Sequence, residues 1–100
     1  MYITLDISKK IEMDFGHKAT EVYGLFDQAF ESAAYLKEER IVRCIVFLAE
    51  QNIEKLKKYI KAATDDPRDV LFWAEYLNHN DKHPTKIRDF DQPFDQATLQ

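Results

Sequence analysis

Lys37-Glu38-Glu39-Arg40-Ile41-Val42-Arg43-Cys44-Ile45-Val46-Phe47-Leu48-Ala49-Glu50 is the stretch that decides the fold. At 3.6 residues per turn, Ile41, Val42, Ile45, Val46, Leu48 and Ala49 cover one side of a helix, and Cys44 and Phe47 extend the apolar arc round the back. Only a narrow polar strip with Glu39, Arg43 and Glu50 remains. A helix with so little polar surface has to be surrounded on most sides, so it is expected at the centre of a mainly α domain. Glu39 and Arg43 stand at i,i+4 in the order that favours an ion pair. A guanidinium in an almost wholly apolar helix must be paired when it is buried. Glu39, Arg43 and Glu50 are therefore read as a buried structural group, or else as the polar floor of a binding cleft.

Three further helices are expected around this one. Phe15, Ala19, Val22, Phe26, Ala29, Phe30 and Ala33 fall within half a helical wheel, which Tyr23, Leu25 and Leu36 widen. One helix over about 15–36, roughly 30 Å long, follows from that spacing. Asn52 can cap a helix over about 53–63 that turns Ile53, Leu56, Ile60 and Ala63 inward and Glu54, Lys55, Lys57, Lys58 and Lys61 outward. Asp66-Pro67-Arg68-Asp69 then places an acid at the N-cap, proline at the first helical position and a second acid in the first turn. The helix it starts is expected over about 67–78.

The two ends read differently. Over residues 1–15 apolar side chains take nearly every odd position, among them Met1, Ile3, Leu5, Ile7, Ile11 and Met13, which is strand periodicity. Ser8-Lys9-Lys10 could then be a hairpin connection, though it lacks the usual turn residues. After Leu77 the chain becomes polar and turn-rich, and then carries Ile87, Phe90 and Phe94 among Asp89, Asp91 and Asp95. Three such side chains are expected to dock somewhere. The expected architecture is a four-helix bundle-like domain over 1–100, with a short extended β segment over 1–14, a helical core over 15–78, and a turn and extended C-terminal arm over 79–100.

With 100 residues the chain can build one core, and with 45% hydrophobic residues, two glycines and three prolines it has the material for it. The formal charge of −4 gives no general pull toward nucleic acid or anionic lipid. The charge is uneven: residues 37–64 carry seven cations and four anions, between flanks with three against six and four against eight. No apolar run is long enough to span a bilayer, the first residues do not resemble a signal peptide, and the lone Cys44 cannot form an internal disulfide. A cytoplasmic location without a membrane partner fits these features best.

Few residues suggest chemistry. His79 and His83 stand at the i,i+4 spacing that can bring two imidazoles to one metal, with Asp81 or Asp89 as oxygen donors. They lie beyond the expected helix end, however, and Pro84 biases His83 away from helical geometry. Two exposed histidines without a metal or other cofactor is therefore the reading preferred. Cys44, on an apolar arc, reads as a small core hydrophobe rather than a nucleophile. The acidic stretch 89–95 lacks the central glycine and terminal glutamate of a calcium loop. Lys55, Lys57, Lys58 and Lys61 lack interleaved exposed aromatics or arginines for base stacking and sit in an acidic protein, so they read as a solvated face rather than a nucleic-acid surface.

The helix beginning at Pro67 is the most informative. Val70, Leu71, Phe72, Trp73, Ala74, Tyr76 and Leu77 point in every direction, and a small bundle can bury only one stripe of a peripheral helix. The other side calls for a cover: the protein's own ends, a second copy, or a different protein. The function expected first is thus a non-catalytic protein-interaction domain, a homodimer or an adaptor or inhibitor of another protein, acting through Phe72, Trp73, Tyr76, Ile87, Phe90 and Phe94. The alternatives are a ligand- or metal-dependent protein with its site at Arg43, Glu39 and Glu50 or at His79 and His83, and a weak nucleic-acid binder using the lysines of the third helix.

Overall fold

The computed structural model describes residues 3–99 and is mainly helical with one small sheet. The helices are α1 (Leu5–Phe15), α2 (Ala19–Ser32), α3 (Glu39–Ala49), α4 (Ile53–Asp65) and α5 (Pro67–Glu75). Two short strands follow, β1 (Tyr76–Leu77) and β2 (Thr85–Lys86), with 3₁₀ turns at Gly16–Lys18, Ala34–Lys37 and Phe94–Gln96. Residues 41–46 are all buried, as is Ala49, and α3 packs against α1, α4 and α5. The side chains of α3 point into the centre from nearly every angle because the polar strip is so narrow. No helix among the described residues is long and apolar enough to cross a membrane.

The extended β segment expected over 1–14 is corrected: Leu5–Phe15 is helical, and Met1 lies outside the described residues. The physical reason is an ambiguity of period. Ile7, Ile11 and Phe15, which are buried, are spaced by four; four is both an even number, as a strand requires, and about one helical turn. The two periods differ in where they send Leu5 and Met13, which are exposed on the helix. Ser8, Lys9 and Lys10 are therefore helical residues rather than a turn. Gly16, at φ 55° and ψ −124°, ends α1, and its N–H donates to the Glu12 carbonyl. That backbone conformation favours glycine.

The helix expected over 15–36 is likewise shorter, since Phe15 closes α1 and α2 spans Ala19–Ser32. Ala33 leaves helical geometry, and the following 3₁₀ turn still drives Leu36 into the core. A three-residue step such as Ala33 to Leu36 keeps one face in either kind of helix, so a helical wheel does not register the break. Glu50 and Gln51, both left-handed at φ 50° and 66°, turn the chain from α3 into α4. Asn52 caps α4 by accepting from the Lys55 N–H at 3.0 Å, and Asp66 caps α5 by accepting from the Arg68 N–H at 3.0 Å.

The last helix stops at Glu75 rather than near Asn78 because the backbone there is used by the chain's own C-terminal part. Tyr76 is extended, and β1 pairs antiparallel with β2, Tyr76 opposite Lys86 and Leu77 opposite Thr85. The Glu75 carbonyl accepts from Ile87 N–H at 2.7 Å and from Arg88 N–H at 3.1 Å. The C-terminal arm is accordingly not a simple extended tail. It folds back on itself, Asp89 N–H donating to Ala97 and Leu99 N–H to Ile87, and it buries Phe90 and Ala97 in the core.

Candidate functional site

Two arginines one turn apart on α3 hold the C-terminal arm through the backbone of a single residue. Arg43, only 3% exposed, makes a two-pronged contact with Asp6 of α1, Nε to Oδ2 at 2.9 Å and Nη2 to Oδ1 at 3.1 Å. Its remaining nitrogen donates to the Phe90 carbonyl at 3.0 Å. Arg40 grips Glu75 with Nε at 3.0 Å and a second contact through Nη2, and the fully buried Glu75 accepts from the Phe90 N–H at 2.8 Å. Both backbone groups of Phe90 thus end on ion pairs. Its ring lies against Phe47 at 5.2 Å and Phe94 at 5.6 Å.

Asp6 also accepts from the Thr4 hydroxyl and, at 3.3 Å, from the Phe94 N–H. Burial pushes the Asp6 carboxyl up, but hydrogen bonds from Arg43, Thr4 and Phe94 outweigh it and hold its pKa down to about 2. The same bond to Asp6, working against burial, raises the pKa of Arg43 further above its ordinary value. Among the described residues no buried side-chain nitrogen or oxygen lacks a hydrogen-bond partner.

This ion pair floors an open groove of about 960 Å³ between α1 and the arm. Leu5, Lys9 and Met13 form its α1 wall, and Pro93 and Phe94 belong to the arm wall. Leu5 is 72% exposed and Met13 81%. Arg88 lies at the groove with its guanidinium 4.4 Å above the Phe47 ring and donates to the Ala74 carbonyl at 3.2 Å. A smaller cleft of about 590 Å³ separates α2 from α4, with Leu25, Ala29 and Ile60 among its lining.

Of the residues singled out from sequence, Arg43 is buried and paired, but with Asp6 as its main partner. Glu39 stays at its side at 3.5 Å, half exposed, whereas Glu50 turns away and pairs with Lys55 at 2.9 Å. The arm residues are brought together: Phe90 is buried, and Ile87 and Phe94 are half-buried. Phe72 stacks obliquely on Tyr76 at 5.4 Å and on His79 at 5.1 Å, while Trp73 meets Tyr59 edge-on at 6.0 Å and remains 37% exposed. These rings lie on α5 and β1, and none is among the residues lining the groove.

His79 and His83 are exposed, and His79 contacts the Tyr76 carbonyl. No group of three or more His, Cys, Asp or Glu side chains among the described residues is gathered as a metal site would require. Burial, reinforced by the charge of Glu75, pushes the Cys44 thiol well above its usual range. On α4, Lys55, Lys57 and Lys61 pair with Glu50, Glu54 and Asp65, and Lys58 lies over the Tyr59 ring at 5.3 Å. Local acids thus neutralise much of the charge a phosphate backbone would meet.

Asp6, Arg40, Glu75 and Arg88 complete the arrangement and were missed from the sequence. Glu75 carries the one signal that could have found it, the only charged residue of its helix beyond the first turn, the same argument that singled out Arg43. The chain matches no protein-family model, no curated protein and no solved structure.

Proposed function

We propose that this protein is a non-catalytic interaction domain whose working surface is the groove between α1 and the C-terminal arm. The exposure of Leu5 and Met13, 72% and 81% on one stripe of α1, carries this reading. Covering each of them from water is worth roughly 2 kcal/mol by area alone, so a partner gains by closing over this wall. The groove floor supports the same conclusion. The hydrogen bonds of Arg43 and Asp6 go to each other, to Thr4 and to the arm, which makes them a foundation rather than a set of groups waiting for a substrate.

Selection of binders from a random-peptide display library tests the reading. Selected peptides are expected to compete with one another and to lose about tenfold or more in affinity for a Leu5→Glu, Met13→Glu double variant, a cost of at least 1.4 kcal/mol. Both positions are exposed, so the variant should melt with the wild type. Peptides that bind the variant as tightly as the wild type would overturn the proposal.

A second reading, a homodimer joined through α5 and β1, is favoured by the exposure of Trp73 and Leu77, 37% and 51%. It predicts a concentration-dependent dimer in sedimentation equilibrium that Trp73→Ala weakens. A wild-type monomer at high concentration rules it out.

A further inference from the structure

The groove's charge says more about its occupant than its apolar walls do. Lys9, Lys10, Arg43 and Arg88 line it against Asp6 and Asp95, two more cations than anions in a chain whose formal charge is −4. Arg43 and Asp6 are spent on each other, and Lys10 pairs with Asp14 at 3.1 Å. Among the described residues no acid lies within ion-pair distance of Lys9 or Arg88. Neither is held in an ion pair, so against the unpaired Asp95 of the same lining the groove keeps a net positive charge.

The order of residues along α1 sets the pattern a partner would meet. Leu5, Lys9 and Met13 follow at i, i+4 and i+8, so one stripe presents apolar, cationic and apolar side chains over roughly 12 Å. Phe94 and Pro93 face them from the arm wall. Methionine suits such a surface because its unbranched thioether adapts to different apolar shapes. An open groove with apolar anchors at helical spacing is the setting in which an amphipathic helix lays its apolar face.

We propose that the groove receives an amphipathic α-helix of a partner protein that bears acidic side chains along the edge of its apolar stripe. Its apolar residues lie on Leu5, Met13 and Phe94, and its carboxylates meet Lys9 on one side and Arg88 on the other. The inference rests on the interaction-domain reading and narrows it to one partner chemistry. Opposite charge adds specificity and speeds encounter, and it makes binding sensitive to salt.

Two fluorescein-labelled synthetic peptides test this, each roughly sixteen residues long. The first has leucines at every third or fourth position flanked by glutamates; the second is identical except that every glutamate is lysine. Fluorescence anisotropy is expected to give at least about tenfold tighter binding of the glutamate peptide at low salt, with the preference shrinking as salt screens it. Lys9→Glu, at an exposed position without an acid partner, is expected to remove most of that preference without altering the melting curve. The Met13→Glu variant is expected to weaken both peptides.

Equal binding of the two peptides, a preference for the lysine peptide, or a preference unchanged by Lys9→Glu would overturn the assignment. So would a dimer that Met13→Glu dissociates, because a second copy would then be the occupant. Library peptides that bind the groove but are neutral or basic would sink this inference and leave the interaction-domain reading standing. Peptides insensitive to the Leu5 and Met13 changes would sink both.

Discussion

Replacing Asp6 with asparagine keeps the shape of the side chain while removing its charge and exchanging one acceptor oxygen for a donor that faces the Arg43 guanidinium. Arg43 is 4% exposed at its side chain and Asp6 21%, so little water can take over the lost contact. The depression of the Asp6 pKa from an ordinary 3.8 to about 2, at about 1.36 kcal/mol per pH unit, corresponds to about 2.5 kcal/mol favouring the ionised carboxylate. Removing one partner of a buried pair costs about 3–5 kcal/mol. Glu39, at 3.5 Å from Arg43 and half exposed, offsets part of that. Asp6→Asn is therefore expected to lose about 2–4 kcal/mol at pH 7, or roughly 10–20 °C in Tm.

The pH dependence has a definite sign. The folded-state pKa lies below the unfolded one, so the contribution of the carboxylate is complete above an unfolded value near 3.8 and is lost as pH falls through about 2. At pH 2 only about 0.5 kcal/mol of it remains. Urea denaturation of wild type and variant at pH 7 and pH 2 should show a gap that narrows by about 2 kcal/mol in acid. Equal stabilities at pH 7, or a gap of the same size at both pH values, would refute the clamp as a source of stability.

Three other expectations concern the arm, the glycines and the thiol. Phe90→Ala empties a site that is 2% exposed; it should cost about 3–5 kcal/mol and accelerate amide exchange at Ile87, Asp89 and Leu99, which hydrogen exchange can follow residue by residue. Gly16→Ala forces a side chain onto a backbone at φ 55° and ψ −124° and should cost about 1–2 kcal/mol. Gly24→Ala, in open space on α2, should instead gain about 0.5–1 kcal/mol; chemical denaturation of the pair separates strain from propensity. Cys44, buried with its thiol pKa pushed up by burial, should react with a thiol-specific disulfide reagent only at the rate of unfolding, and a fast phase in the native protein would contradict its placement.

The parts of this fold that could be read from sequence are those whose chemistry is local. Asn52 and Asp66 accept from backbone N–H groups three and two residues ahead, so the starts of α4 and α5 are visible in a few letters. The all-round apolar pattern of α3 likewise announces its burial. α1 was illegible because Ile7, Ile11 and Phe15 satisfy two periods at once, and only Gly16 immediately beyond them suggests that a helix ends there.

The clamp was illegible for a different reason. Asp6 and Arg43 are separated by 37 positions, Arg40 and Glu75 by 35, and no short-range pattern links them. A buried Arg43 needs a partner, and the nearby Glu39 and Glu50 are the ones a short-range pattern offers, whereas its two-pronged contact is with Asp6. The groove depends on the same distant pairing, since its walls meet only when α1 and the arm are both seated on α3.

The hydrogen bond from Phe94 to Asp6 ties together positions 88 residues apart. A ribosome delivers the amino-terminal partner first and the other much later. At roughly 5–20 residues per second, Arg43 waits about 2–10 s of synthesis for Phe90, 47 positions further on. Until Phe90 arrives, Arg43 lacks its backbone acceptor and Phe47 the ring that packs against it. A message stalled before the codon for Phe90 should therefore yield a product that proteases clear quickly, whereas a fluorescent tag fused after Leu99 should mature normally.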